Sequence, residues 1–275
     1  MKRKVSSIAL NALLLILGVV TVYPFVWMLF SSFKENQEIM ALEQHLLPQK
    51  FIIDNYINMN AHFNFIRFFL NSIVITVVIT LIVIYTSTIC GFVLSKYKFK
   101  GRNILFGFVL STMMIPWCVT IIPKYSMIQA FGWMDSYKAL IIPAMFSGFG
   151  IFMMKQHISA LPDEILEAAR IDGAKELYIF HRIAIPIMSP GIATMSIMGF
   201  IGNWNAYLMP MIILNKNEKF TLPVMMATLR SSTDITANQG AIYLAVAISV
   251  IPILLVFAFF SKYIISSIAA GAVKE

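Results

Sequence analysis

Few side chains in this sequence are placed to make or break covalent bonds. His45, His62, His157 and His181 lie apart, without the spacing of metal ligands. Cys90 and Cys118 fall inside apolar runs with no CxxC neighbour, which reads as burial of small hydrophobes rather than a metal site or a disulfide. Neither H-E-x-x-H nor G-x-S-x-G occurs, and no G-x-x-x-x-G-K-[ST] loop is present to cradle a nucleotide. The chemistry concentrates instead in one charged stretch, "LPDEILEAARIDGAKELYIFHRIAIP", residues 161–186. What such residues offer is ionic pairing and close surface contact.

The stretch reads as two short soluble helices. Pro162 suits a first helical turn, where its missing N–H is not needed, and Asp163 and Glu164 suit the positive end of the macrodipole. Ile165, Ala168, Ala169 and Asp172 fall at i, i+3, i+4 and i+7, a face with small residues at its centre. Gly173 can take the left-handed conformation that ends helices, so a sharp turn is expected there, followed by a helix over about 174–183 and by Pro186 at the start of the next apolar run. On physics alone, a docking surface and an ordinary solvated loop are equally good readings.

The elements around it are membrane spans. Hydrophobic residues make up 59% of the 275 residues and charged ones 12%, well away from the soluble average of about half and a quarter. Six runs without Asp, Glu, Lys, Arg or His are candidate helices: residues 8–30, 71–94, 104–122, 139–154, 190–214 and 241–261. The fourth is short and carries Pro143, Gly148 and Gly150, which predicts a kink or an incomplete span. Lys2, Arg3 and Lys4 before the first run resemble a signal peptide, but that run is too long and has no A-x-A site, so it reads as a retained span. Asn71 and Ser72 read as helix-start residues.

Orientation follows from the basic residues. With the N-terminus in the cytoplasm, the short loop "SKYKFKGRN" and the 161–186 stretch share that side with most Lys and Arg. Lys34, Lys50, Arg67, Lys124, Lys138, Lys216, Lys219 and Arg230 lie opposite. The net charge of +8 is therefore mainly a topology signal and does not imply nucleic acid. All 13 acidic residues fall outside the six runs, which disfavours a carrier driven by an ion gradient. A chain without its own energy source must receive energy from a partner.

Glu167, Ala168, Ala169, Gly173, Ile183, Ile185 and Pro186 resemble the E-A-A-x(3)-G-x(9)-I-x-L-P loop of bacterial ABC importer permeases, with Ile185 in place of the usual Leu. The string "EAARIDGA" is similar to the version in sugar permeases of the MalG type. "FIGNWNAYLMPMIIL" (200–214), "TLPVMMATL" (221–229) and the tail "AAGAVKE" (269–275) look like MalG-type segments in the same order. The tail ends in Glu275 where many relatives end in glycine, and the region before Phe68 matches mainly by its span and length.

The resemblance implies an all-α polytopic protein of about six transmembrane helices with the type I ABC importer permease fold. It divides the chain into a first helix and outer segment (1–68), a permease core (69–264) with its coupling loop at 155–186, and a cytoplasmic tail (265–275). It further implies the permease subunit of an ATP-driven carbohydrate importer, with oligosaccharides expected, in the bacterial cytoplasmic membrane. Such a subunit is not an enzyme. The implied partners are membrane lipid, a second homologous permease of the MalF kind, two copies of an ATPase that binds ATP and Mg, and an extracytoplasmic sugar-binding protein. No cofactor is implied in this chain. A permease for a polyamine, phosphate or amino acid would share the coupling loop but not the "NWN" and tail segments.

By the same resemblance, Glu167 supplies a charge for a basic group of the ATPase, Ala168 and Ala169 permit close contact, and Gly173 fixes the turn. Arg170 and Asp172 join them or merely decorate the exposed face. Asn203, Trp204, Asn205 and Tyr207 are the most polar part of any run; they either line the translocation path or serve as interhelical glue. Residues 215–240 either face the binding protein or form a surface connector. The tail either reaches the ATPase or frays.

Overall fold

A computed structural model describes residues 2–231 and 239–272, and the described residues contain helices but no strands. In chain order, α1 (Lys2–Ser31), α2 (Asn36–Ile39) and α3 (Asp54–Phe63) precede the 32-residue α4 (Phe65–Lys96). Next come α5 (Arg102–Met114), α6 (Ile121–Ala130), α7 (Lys138–Ile141) and α8 (Gly148–Ser159). The charged stretch supplies α9 (Asp163–Ile171), α10 (Glu176–Ile179) and α11 (Ile185–Ile187). The chain closes with α12 (Ser189–Trp204), α13 (Leu208–Ile213), α14 (Leu222–Ser231) and α15 (Gln239–Ala272).

Three of these helices are long and apolar enough to cross a membrane, over Leu10–Ser31, Phe65–Lys96 and Gln239–Tyr263. Three bent helix pairs also pass when each is taken as one broken span, which makes up to 6 spans among the described residues. The protein is a multi-pass membrane protein, but its spans are not the six unbroken rods of the sequence.

Each break has a local cause. The 104–122 run does not form one helix: α5 stops at Met114 and the chain turns by 99° into Trp117–Ala130. Pro116 cannot donate to the helical ladder, and Ile115 before it is extended (φ −82, ψ 117). The break around Pro143 is the expected one, a 41° bend between Lys138–Ala144 and Gly148–Ser159. There Ser147 caps α8, its Oγ accepting the Gly150 N–H at 3.1 Å.

The 190–214 run also divides. α12 ends at Trp204 and α13 begins at Leu208, because Pro210 has no N–H to offer the Ala206 carbonyl one turn back. Likewise Asn71 and Ser72 do not start a helix, since α4 begins six residues earlier at Phe65. They sit in its second turn and tie down a later loop. Asn71 Nδ2 donates to the carbonyls of Glu218 and Phe220, each at 3.0 Å, and Ser72 Oγ accepts the Leu222 N–H at 2.7 Å.

The chain divides into two compact units, Met1–Arg67 with Met226–Ile251, and Phe68–Met225 with Pro252–Glu275. Within the first, Lys34 is buried, its ammonium donating to the His45 carbonyl and lying 5.5 Å from the Trp27 ring. Trp27 in turn meets Tyr243 edge to face at 5.1 Å. Asn55 donates to the carbonyls of Ser32 and Lys34, which closes the turn after α1.

The second unit holds α4, α8 and α12 together through small residues. A Cβ added at Gly91 would lie 2.7 Å from Met154 Cβ and 2.8 Å from Lys155 N. Ser87, four residues earlier on α4, faces Gly150 of α8, and Gly191 of α12 lies against the His157 ring. Without a hydrophobic drive between helices in lipid, such close backbone approach supplies the van der Waals contact that holds them together.

Candidate coupling element

The charged stretch is built onto the ends of those three helices. Leu166, 1% exposed, points from α9 into a cluster with Phe92 of α4, Met154 and Ile158 of α8, and Ile179 and Phe180. Ala169 and Ala174 pack against the same cluster. The face expected from Ile165, Ala168, Ala169 and Asp172 is therefore wrong in one member: Ala169 looks inward. Leu166, three residues before it, is the anchor, so the exposed side of α9 carries Glu164, Ile165, Glu167, Ala168, Ile171 and Asp172. Ile165 and Leu166 are adjacent and equally apolar in the amphipathic α9, and only the neighbours supplied by the fold make Leu166 the buried one.

The turn at Gly173 closes by its own backbone. Gly173 has φ +80, a conformation that carries no Cβ penalty only in glycine. Its N–H donates to the Arg170 carbonyl and the Ala174 N–H to the Ala169 carbonyl, both at 3.0 Å, the paired bonds of a Schellman cap. The apolar contact that accompanies this cap is the packing of Ala169 and Ala174 on the shared cluster.

Ionic contacts fix both ends of α9. Lys96, at the last turn of α4, reaches Asp163 Oδ1 at 2.7 Å and also donates to the Leu161 carbonyl, pinning the start of α9. The lysine side chain is nearly buried, and its hydrogen bond holds the Asp163 carboxyl below the usual carboxylate range. Arg170 Nε lies 2.8 Å from Glu176 Oε1, and the Tyr97 hydroxyl donates to Glu176 Oε2. Arg170 and then Tyr97 lower the Glu176 pKa; burial first and the carboxylate second raise that of Tyr97. Sequence reasoning missed Lys96, Tyr97 and Glu176, since their partners are supplied by the fold.

The second helix differs from the expected 174–183. It starts at Glu176, widens into a π-helical turn over Phe180–Ala184 and continues to Ile187 before a 76° bend into α12. Pro186 therefore lies inside the helix, not at the start of a span. The wider turn accommodates a proline that gives no hydrogen bond to the residue one turn back. Beside the Gly173 turn a cleft of about 560 Å³ opens, lined by Asp172, Gly173, Lys175, Tyr178 and Ile183 among others. Ile171 and Leu177 stand strongly exposed nearby, at 86% and 67%.

Asn203, Trp204, Asn205 and Tyr207 do not form one polar stripe. Trp204 is buried, stacked on Phe200 at 5.8 Å and edge-on to Phe69 at 5.6 Å. Asn205 turns its amide back to the Ile201 carbonyl at 3.0 Å, and Tyr207 is partly exposed. Asn203 alone of the four lines a cavity of about 200 Å³, together with Ser72, Thr76, Lys124 and Thr221. The start of the 215–240 connector is tied to Asp135. Its carboxylate accepts the Asn215 and Lys216 N–H groups at 3.1 Å and lies 2.8 Å from Lys219 Nζ, the largest cause of an Asp135 pKa lowered to about 2. Residues 232–238 of that connector, and 273–275 of the tail, lie outside the described residues.

Residues 87–269 match the family described as binding-protein-dependent transport system inner membrane component. The arabinooligosaccharides transport system permease protein AraQ of Halalkalibacterium halodurans is 34% identical over 281 residues, covering 100% of both chains. The diacetylchitobiose uptake system permease protein NgcG of Streptomyces coelicolor is 31% identical, covering 96% of this chain and 88% of the relative. A chain from the crystal structure of a bacterial ABC transporter involved in the import of the acidic polysaccharide alginate has the same fold, with a TM-score of 0.83 at 22% identity and coverage of 96% and 98%. With the family match spanning most of the permease core and AraQ aligned end to end, this chain belongs to the family of inner membrane components of binding-protein-dependent transport systems.

Proposed function

We propose that this chain forms half of the channel of an ATP-driven carbohydrate importer, with its N-terminus in the cytoplasm of a bacterium and α9 as the element that receives force from an ATPase. Membership of the family brings a general need for a binding protein, a partner permease and an ATPase. The finer assembly we propose is one MalF-like permease and two ATPase copies, which bind the ATP and Mg. The carbohydrate reading is supported by relatives named for arabinooligosaccharide and diacetylchitobiose transport, aligned over nearly the whole chain.

The observation that carries the coupling reading is the Gly173 cap. It closes a short helix whose inner side, Leu166 and Ala169, is fastened to α4 and α8 and whose outer side presents Glu167, Ala168 and Asp172 to solvent. A push on that outer side is delivered to the ends of membrane helices rather than absorbed in a loose loop. Glu167 then pairs with a basic group of the ATPase and Ala168 allows close approach.

The test is uptake by proteoliposomes containing the whole complex and its binding protein. The solutes are labelled oligosaccharides, an amino acid, phosphate and a polyamine. ATP-dependent uptake of at least one oligosaccharide is expected. Uptake of a non-sugar solute with no sugar uptake would overturn the carbohydrate reading while leaving the coupling element in place.

A further inference from the structure

Two clefts that meet at Phe99 differ sharply in chemistry. The first, about 560 Å³, runs between α4, α5 and α8. Leu94 and Ile151, each 7% exposed, form its floor, and Val93, Phe108 and Phe146 stand exposed along its open side. Thr112 lines it too, but its hydroxyl is spent on the Val109 carbonyl at 2.7 Å, so the groove offers a ligand almost only apolar surface.

The second cleft, about 390 Å³, opens at the loop between α4 and α5, where Lys98, Arg102 and Asn103 line it beside Phe99. No acidic residue lines either cleft. Lys98 and Arg102 form no ion pair among the described residues. Lys98 acts on Asp163 through charge alone, and that carboxylate is bound by Lys96 at 2.7 Å. The Arg102 guanidinium has one long bond, 3.4 Å, to the Tyr97 carbonyl. Two cations are therefore left to an anion from outside the chain.

The lengths match one leaflet. From Leu105 to Thr112 the groove follows α5 through two turns, about 10 Å at 1.5 Å per residue. Half of a ~30 Å hydrocarbon core is about 15 Å. Within lipid, apolar surface alone selects no occupant, because hydrocarbon from any molecule covers it equally well. Basic residues in that loop are a topology signal in their own right, but topology does not ask for an apolar groove that ends at them. Together they call for an amphiphile whose anion sits just beyond its chain.

We propose that the two clefts form one binding site for an anionic phospholipid, with an acyl chain in the groove and the phosphate paired with Lys98 and Arg102. The Phe99 ring, shared by both clefts, flanks the glyceryl region between them. The lipid belongs to the leaflet on the side of the α4–α5 loop. Only the name of that leaflet, the cytoplasmic one, rests on the orientation proposed above; the site stands independently of the solute carried.

The test uses the assembled complex in phosphatidylcholine nanodiscs that carry a trace of phosphatidylglycerol or of phosphatidylcholine with a diazirine in the acyl chain. After irradiation, adducts are mapped by mass spectrometry. Phosphatidylglycerol is expected to label residues 89–94 and 105–112 at least threefold more than phosphatidylcholine does. Lys98→Gln with Arg102→Gln removes that preference, whereas the charge-keeping Lys98→Arg with Arg102→Lys retains it, which separates lost charge from a damaged fold. Equal labelling by the two lipids, or a preference that survives loss of both charges, overturns the anionic site. Absence of adducts from either lipid overturns it too, and shows that a partner helix fills the groove. A preference abolished by phosphate but not by chloride of equal ionic strength overturns the lipid in favour of a free anion. Orientation is read separately, from protease access to the α4–α5 loop in sealed vesicles; a reversed result moves the leaflet and leaves the site.

Discussion

Lys96 Nζ lies 2.7 Å from Asp163 Oδ1, so the last turn of a 32-residue membrane helix holds the first turn of the nine-residue α9. The same ammonium binds the Leu161 carbonyl, which places one bond on the short link between α8 and α9 and the other on the first residue of α9. An exposed ion pair contributes about 0–1 kcal/mol, but this lysine is buried on its own side and its loss strands a carbonyl.

Lys96→Met keeps the apolar stem and removes both bonds. Amide exchange across α9 is expected to quicken about fivefold, in line with roughly 1 kcal/mol for a net hydrogen bond. Mass-spectrometric exchange on the complex reads this directly; protection unchanged over 163–171 would show that Leu166 holds α9 unaided.

Gly173 and Glu167 separate folding from coupling. Gly173→Ala pays roughly 1–2 kcal/mol for the left-handed backbone, while Gly173→Pro cannot take φ +80 and also loses the bond to Arg170. Glu167→Lys alters an exposed side chain and should leave the fold alone. Gly173→Pro and Glu167→Lys are both expected to reach the membrane at normal levels yet lower binding-protein-stimulated ATP hydrolysis at least tenfold. Wild-type stimulation in both would remove the coupling assignment.

Acid should free the loop at Asp135. Its carboxyl titrates at about 2, below its ordinary 3.8, chiefly through Lys219. A lowered folded-state pKa contributes stability that is present above the ordinary value and lost as pH falls through the folded one. The Asn215 and Lys216 amides are therefore expected to stay protected at pH 5 and to lose protection between about 4 and 2. In Asp135→Asn that pH dependence should vanish, which exchange measured across the range will show.

Gly91→Ala should lower stability by about 1–3 kcal/mol, the usual cost of overpacking, because the new methyl meets Met154 and Lys155 backbone at under 3 Å. Gly107→Ala on α5 meets nothing within 4 Å and serves as the comparison, with no loss expected. Thermal unfolding of the two variants in detergent gives the difference.

How much of this was written legibly in the chain depends on range. Apolar runs mark where spans lie, and Gly173, with its φ of +80, turns where a glycine after a short amphipathic helix should. Pro116 and Pro210 also announce their breaks, yet inside runs without charge the composition outweighed them. Leu166, Lys96 and Glu176 were illegible for a different reason: each acquires its role from a residue brought close by the fold, Phe92, Asp163 and Arg170 respectively. Trp204 was illegible likewise: it finds Phe200 and Phe69 and turns into the core.

The self-closed cap at Gly173 bears on how subunits come together. A loop that folds only on its receptor surrenders about 1–2 kcal/mol of backbone entropy per residue at the moment of contact. With its carbonyls satisfied and Leu166 already seated, α9 has surrendered that entropy during folding. In the proposed assembly, the ATPase then meets a finished peg, and its grip can be released and remade in each transport cycle without the helix melting in between.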